Sequence, residues 1–181
     1  MTRDSRGVYL LTGPSAAGKT TVGRLLAEQF KRGVHLEGDF FRRSIVSGRS
    51  EMTPTASGEA FDQLRLRYEI SARAADAYAE NGFLVVLEDV VAGDMLLDMA
   101  QIIAARPLRI VVLMPSLAAT AERETGRSTM GYENWTIGGL YDVFLNSTPR
   151  IGLWLDTSDQ TPSATVAAIL AAPPEQLEPS A

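Results

Sequence analysis

Apolar residues fall into two kinds of pattern along this chain. Short runs at Val8 to Thr12, Val34 to Glu37, Phe83 to Glu88, Arg109 to Leu113 and Gly152 to Asp156 are mostly Val, Ile, Leu or aromatic. Each stops at polar or turn residues, which predicts five strands. Between them lie stretches of helical length: Lys19 to Phe30, Glu59 to Glu80, Asp94 to Ala105, Ser116 to Glu124, Asn134 to Asn146 and Pro162 to Ala171. Several open on Ser, Asp, Asn or Thr, whose side chains can cap a first turn. In the second stretch Phe61, Leu64, Tyr68, Ala72, Ala75 and Tyr78 recur three or four apart, which predicts one buried helix face. Strands alternating with helices predict a parallel sheet covered on both sides.

Composition narrows the setting. The chain has 181 residues, 45% of them hydrophobic, which suits one domain, expected over residues 1–172. Residues 173–181 hold adjacent prolines and little to bury, and are expected to form a poorly ordered tail. The net charge of −5 and scattered basic residues disfavour nucleic acid and anionic membrane as partners. With no cysteine, disulfides, thiolate metal sites and cysteine nucleophiles drop out, so a metal would need oxygen ligands or the lone His35. His35 lies inside an apolar run and reads as structural. No apolar run approaches the ~20 residues that span a bilayer, so a cytoplasmic location is expected.

The stretch "LLTGPSAAGKTT" then stands out. Gly13, Gly18, Lys19 and Thr20 match GxxxxGKS/T, and the match falls between a predicted strand and a predicted helix, the context this motif requires. Pro14, Ser15, Ala16 and Ala17 make a loop small enough for backbone amides to surround an anion, and the helix that follows, through Thr21, points its positive end there. Lys19 can reach outer phosphates and Thr20 offers a hydroxyl to Mg²⁺. The only other lysine is Lys31, so the NKxD element of guanine-specific switches is absent. Protein-kinase HRD is absent too, which leaves a small phosphotransferase.

Three further stretches carry candidate chemistry. In "HLEGDFFRRS" the acids Glu37 and Asp39 follow the second strand, where ligands gather in such sheets. One acid can hold Mg²⁺ through water, and the other can take a proton from an attacking hydroxyl. Arg42 and Arg43 are expected to begin the next helix and to meet the acceptor substrate. In "FLVVLEDVV" a buried strand delivers acid to the metal; Glu88 and Asp89 alternate, and Asp89 is the one expected to face the site. In "AERETGRSTMGYENW", Arg123 and Arg127 stand four apart before a Gly, Ser and Thr run, which suggests a mobile lid bringing guanidinium groups onto phosphate.

In this order "GPSAAGKT", "EGDFFRR", "VVLEDVVAGD", "RETGR" and "LDTSDQTP" resemble the small phosphate-loop kinases of the nucleoside and nucleotide kinase-like group. The resemblance is strongest to chloramphenicol phosphotransferase-like proteins, with gluconate and shikimate kinases as cousins. It implies a P-loop kinase fold, α/β, with a five-stranded parallel sheet ordered 2-3-1-4-5, helices on both faces and a lid. It also implies Asp39 as base, Arg123 and Arg127 as lid arginines, and Asp156, Thr157 and Ser158 bordering adenine. The expected activity is transfer of the γ-phosphoryl of MgATP to a hydroxyl of a small molecule, an antibiotic or sugar-like metabolite. A nucleoside monophosphate or anionic metabolite kinase is the alternative enzyme, because Arg42, Arg43, Arg65 and Arg67 would line an acceptor pocket beside Phe40, Phe41 and Phe61. A nucleotide-dependent binding or switch protein is the alternative of another class. The sequence leaves the oligomeric state open.

Overall fold

A computed structural model describes residues 6–53, 55–56, 58–125 and 136–179. Five parallel strands form one sheet in the order β2-β3-β1-β4-β5, as the resemblance implied. They are β1 (Gly7–Thr12), β2 (Gly33–Glu37), β3 (Leu84–Glu88), β4 (Leu108–Leu113) and β5 (Leu153–Leu155). The helices are α1 (Lys19–Ala27), α2 (Gly38–Arg43), α3 (Gly58–Glu80), α4 (Met95–Ile102), α5 (Leu117–Thr125), α6 (Ile137–Ser147), α7 (Pro162–Ala171) and α8 (Pro174–Leu177).

Side-chain alternation divides the core into two layers. Val8, Leu10, Val85, Leu87, Ile110 and Val112 point to one face, where they pack on Tyr68, Ala72 and Ala75 of α3, Leu96 and Met99 of α4 and Phe144 of α6. Tyr9, Leu11, Leu84, Val86, Val111 and Leu113 point to the other, against Val22 and Leu26 of α1 and Val166 and Ile169 of α7. Both sides of β1, β3 and β4 are therefore dry, and these strands read as nearly unbroken apolar runs.

Three expectations change. The buried face of α3 runs through Ala60, Tyr68, Ser71, Ala72, Ala75 and Ala79, whereas Phe61 and Tyr78 at its ends are 41% and 43% exposed. A helix of 23 residues spans about 35 Å, roughly twice a five-residue strand, so its ends overhang the sheet. Arg42 and Arg43 close a helix instead of opening one, because Glu37 is extended and the chain turns helical at Gly38. The segment expected to be a loose tail carries α8, whose Leu177 is buried in the α1 layer. Among the described residues no helix is long and apolar enough to cross a membrane.

Candidate active site

The phosphate-loop motif sits at the carboxyl end of β1, the central strand. Gly13 and Gly18 have φ of 146° and 90°, and Ala16, without glycine's freedom, is held at 60°. A Cβ at Gly13 would lie 2.2 Å from the Leu113 carbonyl oxygen, so the loop lies flat on β4 only because that atom is missing. Ala16 and Ala17 are buried beneath the loop, and Ala17 N–H donates to the Pro14 carbonyl at 3.2 Å. Lys19, the first residue of α1, turns its ammonium back over the loop and donates to the carbonyls of Gly13 and Pro14 at 3.0 and 2.9 Å. This is a closed cradle with a cation already over it, the arrangement a polyphosphate would enter by taking those donors. Thr20 and Thr21 follow on the exposed first turn of α1.

The alternation at the end of β3 sends its two acids to opposite faces. Glu88 shares a face with Leu84 and Val86, toward α1, and accepts the Thr20 hydroxyl at 2.6 Å. Asp89 lies toward α3, and Arg67 binds both its oxygens, through Nε at 2.6 Å and through Nη2. Of the two acids it is thus Glu88 that pairs with Thr20, and Asp89, the one expected to face the site, that pairs with Arg67. Glu37 pairs in register with Glu88 on the neighbouring strand, and side chains in register share a face, so Glu37 also looks toward α1. His35, one pleat back, brings Nε2 within 3.9 Å of Glu88 Oε1. Among the described residues no three His, Asp or Glu side chains form a metal cage. A hydroxyl backed by carboxylate suits Mg²⁺, which takes one or two protein ligands and fills its remaining positions with water and substrate phosphate.

Asp39 lies in the first turn of α2 with its side chain 42% exposed. Arg42 Nε donates to its Oδ1 at 2.6 Å, Arg43 Nε lies 3.4 Å from Oδ2, and Arg67 Nη1 lies 3.9 Å from Oδ1. Burial pushes the Asp39 carboxyl up, but the Arg42 hydrogen bond and the charges of Arg42, Arg67 and Arg43 outweigh it and hold the group below the usual aspartate value. The approach of α2 to β3 depends on Gly38, where a Cβ would stand 2.0 Å from Asp89 Oδ2. Tyr68 anchors the same corner by donating to the Val90 carbonyl at 2.7 Å, and burial raises its phenol. Sequence reasoning placed Arg67 at the acceptor pocket but missed its pairing with Asp89. An arginine on the inward side of α3 among Leu64, Tyr68 and Ser71 was the available signal.

On the far side of the phosphate loop, Arg123 of α5 donates Nη2 to the carbonyls of Thr157 and Ser158 at 2.6 and 3.1 Å. Asp156 Oδ1 accepts the Ser158 backbone N–H at 2.9 Å and also its hydroxyl, and these hydrogen bonds hold its carboxyl below the ordinary value. Ser158 Oγ in turn accepts Ser116 N–H at 2.8 Å. The structure thus joins Arg123 to the 156–158 turn. Arg127 and the expected lid lie outside the described residues, and Arg65 is exposed on α3.

A model of the family described as chloramphenicol phosphotransferase-like protein matches residues 7–172. Solved structures with the same fold include a gluconokinase from Sinorhizobium meliloti 1021, with a TM-score of 0.66, 19% identity and coverage of 93% of this chain and 92% of that one. Shikimate kinase from Acinetobacter baumannii, in complex with shikimate, has a TM-score of 0.59, 19% identity and coverage of 92% of each chain. The APS kinase CysC of Mycobacterium tuberculosis, in complex with AMPPNP and APS, has a TM-score of 0.62, 14% identity and coverage of 91% and 96%. No curated protein sequence matches the chain.

Proposed function

Because the chain belongs to the chloramphenicol phosphotransferase-like family, we propose that it transfers the γ-phosphoryl group of MgATP to the hydroxyl of a small molecule. The observation that carries this reading is the cradle under Lys19 with a partly exposed carboxylate, Asp39, beyond the one intervening strand that carries Glu88, the partner of Thr20. Bound MgATP supplies the phosphoryl group, a leaving ADP and a metal charge that offsets charge on the phosphates. Backbone amides within residues 15–20 and the Lys19 ammonium would hold the phosphates. Thr20 would hold the metal, with Glu88 orienting its hydroxyl and Glu37 beside it. Asp39 takes the proton of the acceptor hydroxyl as that oxygen bonds to phosphorus and the bond to the ADP oxygen breaks. Asp89 keeps Arg67 in place behind Asp39. Arg123 fixes the 156–158 turn that would border the adenine.

The pairing of the arginines bears on the acceptor. Arg42 is committed to Asp39 and Glu51, and Arg67 to Asp89. An anionic acceptor would have to displace carboxylates of the chain itself, so the pairing favours an uncharged, hydroxyl-bearing acceptor over a sugar acid or nucleotide. Exposed Phe40 and partly exposed Phe41, edge to face at 5.5 Å, offer it an apolar wall. The test is ADP release over a panel of chloramphenicol, other hydroxylated antibiotics, neutral sugars, gluconate, shikimate and nucleoside monophosphates. Turnover with a neutral alcohol supports the reading. Turnover with a nucleoside monophosphate alone would replace it, and nucleotide binding without any acceptor would favour a switch protein.

A further inference from the structure

Beyond α2, residues 48–51 form a strap tied to α2 and α3 at several points. Gln63 of α3 accepts Ser50 N–H and donates to the Gly48 carbonyl, both at 2.8 Å. Glu51, next along, meets Arg49 Nε at 2.7 Å and takes Nη1 of Arg42 between its two oxygens at 2.8 and 2.8 Å. Arg42 therefore splits its fork: Nε goes to the proposed base and Nη1 to the strap.

That split matters because of what an arginine three residues from an aspartate otherwise does. A guanidinium beside a lone carboxylate settles into a two-point grip on both oxygens, and Asp39 and Arg42 are neighbours on one helix face wherever the strap lies. Both oxygens of Asp39 would then be filled by a permanent cation. With Glu51 in place, Arg42 hydrogen-bonds Oδ1 through Nε, and Arg43 Nε stands 3.4 Å from Oδ2 on a side chain 58% exposed. An acceptor hydroxyl needs one carboxylate oxygen within about 2.6–3.2 Å, and Oδ2 is the one left to it.

We infer that Glu51 is a positioning residue for phosphoryl transfer, which holds Arg42 by Nη1 so that Asp39 keeps Oδ2 open to the acceptor hydroxyl. The inference rests on Asp39 as the base, and the experiment separates the two. Crystal structures of Glu51→Gln and Glu51→Asp are compared with wild type. In the Gln variant Arg42 should close onto both oxygens of Asp39, while the Asp variant, which keeps the charge, should preserve the split fork. If Arg42 in the Gln variant still gives Asp39 a single bond from Nε, the inference is overturned. Kinetics with the best acceptor of the panel form the second arm. Glu51→Gln should lower kcat about tenfold with the ATP KM within about twofold of wild type, a fraction of what a lost general base costs. In an Arg42→Met background the same substitution should cost nothing further, since no guanidinium remains to misplace. An equal loss in both backgrounds would make Glu51 a mere strap residue. Full activity of Asp39→Asn would overturn the base assignment instead, and silence across the panel would count against the kinase reading, with the crystal structures still deciding the role of Glu51.

Discussion

Lys19 is bound to the loop that it is proposed to serve, so its removal touches folding as well as chemistry. Its ammonium bonds two buried carbonyls, and truncation leaves them without that donor. Lys19→Ala should therefore cost about 1–3 kcal/mol in urea unfolding while reducing phosphoryl transfer by at least about 10²-fold; comparable activity in the variant would refute the phosphate-loop assignment. Asp39→Asn should lower kcat about 10²–10⁴-fold and spare ATP affinity, measured by nucleotide titration. A collapse of ATP affinity with kcat intact would move that carboxylate to the metal. Its pH signature has a definite sign. Because the folded value is depressed, the Asp39 charge contributes stability that is complete above about pH 4, where an unfolded aspartate is ionised, and fades as pH falls through the lower folded value. Thermal melts of wild type and Asp39→Asn should differ by a constant gap from pH 7 down to about 4, and the gap should narrow only below that. At this scale the sequence singled out Lys19, Thr20 and Asp39 as candidates and expected Asp89 to face the site, whereas Glu88 is the acid bonded to Thr20. Strand alternation says that the two diverge, but not which face receives α1; that is settled by whether Val86 packs with α1 or α3, a tertiary fact.

The elements were legible wherever a run was long or a motif marked its edge. Lys19 and Pro162 open α1 and α7 as predicted, because the loop glycine and the Thr161 hydroxyl, which accepts Ala164 N–H, fix those starts. α2 was not legible, since six residues holding a glycine and two adjacent phenylalanines show no helical period. Its placement is nevertheless exacting. Gly38→Ala would drive a methyl into Asp89, so α2 must lift away and strain the Arg67 pairs on both sides. The variant should lose about 1–3 kcal/mol in urea unfolding and lose activity with it. Unchanged stability would mean that α2 shifts freely and that the corner is softer than its contacts indicate. On α3, the periodicity located the buried side but overran at Phe61 and Tyr78, because spacing reports direction around a helix and not where the sheet beneath it ends.

For the molecule as a whole, the sheet order could be anticipated because it came with the family's motifs; alternation of strands and helices alone allows several orders. The proposed phosphate and acceptor sites cluster at the carboxyl ends of β2, β3 and β1, with Thr12 of β1 and Val91 beyond β3 locked by reciprocal hydrogen bonds of 3.0 and 2.9 Å. A ligand filling the cradle should therefore stabilise the entire fold. ATP at about a hundred times its dissociation constant should add about 2.7 kcal/mol, seen as a rise in melting temperature that is lost in Lys19→Ala. If ATP left the wild-type melt unmoved, the cradle would not be a nucleotide site.

The chain leaves β2 and returns on its immediate neighbour β3, so residues 38–83 form one excursion that begins and ends on adjacent strands. Everything proposed to meet the acceptor ahead of β3 rides on that excursion, whereas the phosphate-holding parts lie outside it. The segment is in effect an interchangeable cassette, and chimeras with other members of the family could exchange the acceptor while leaving the nucleotide end untouched. Side chains of the cassette bond across its seam: Arg67 grips Asp89, Tyr68 donates to the Val90 carbonyl, and Asp76 accepts the N–H groups of Ala104 and Ala105. Of these partners only Asp89 is a side chain, so a transplanted segment should take hold only when residue 89 travels with it.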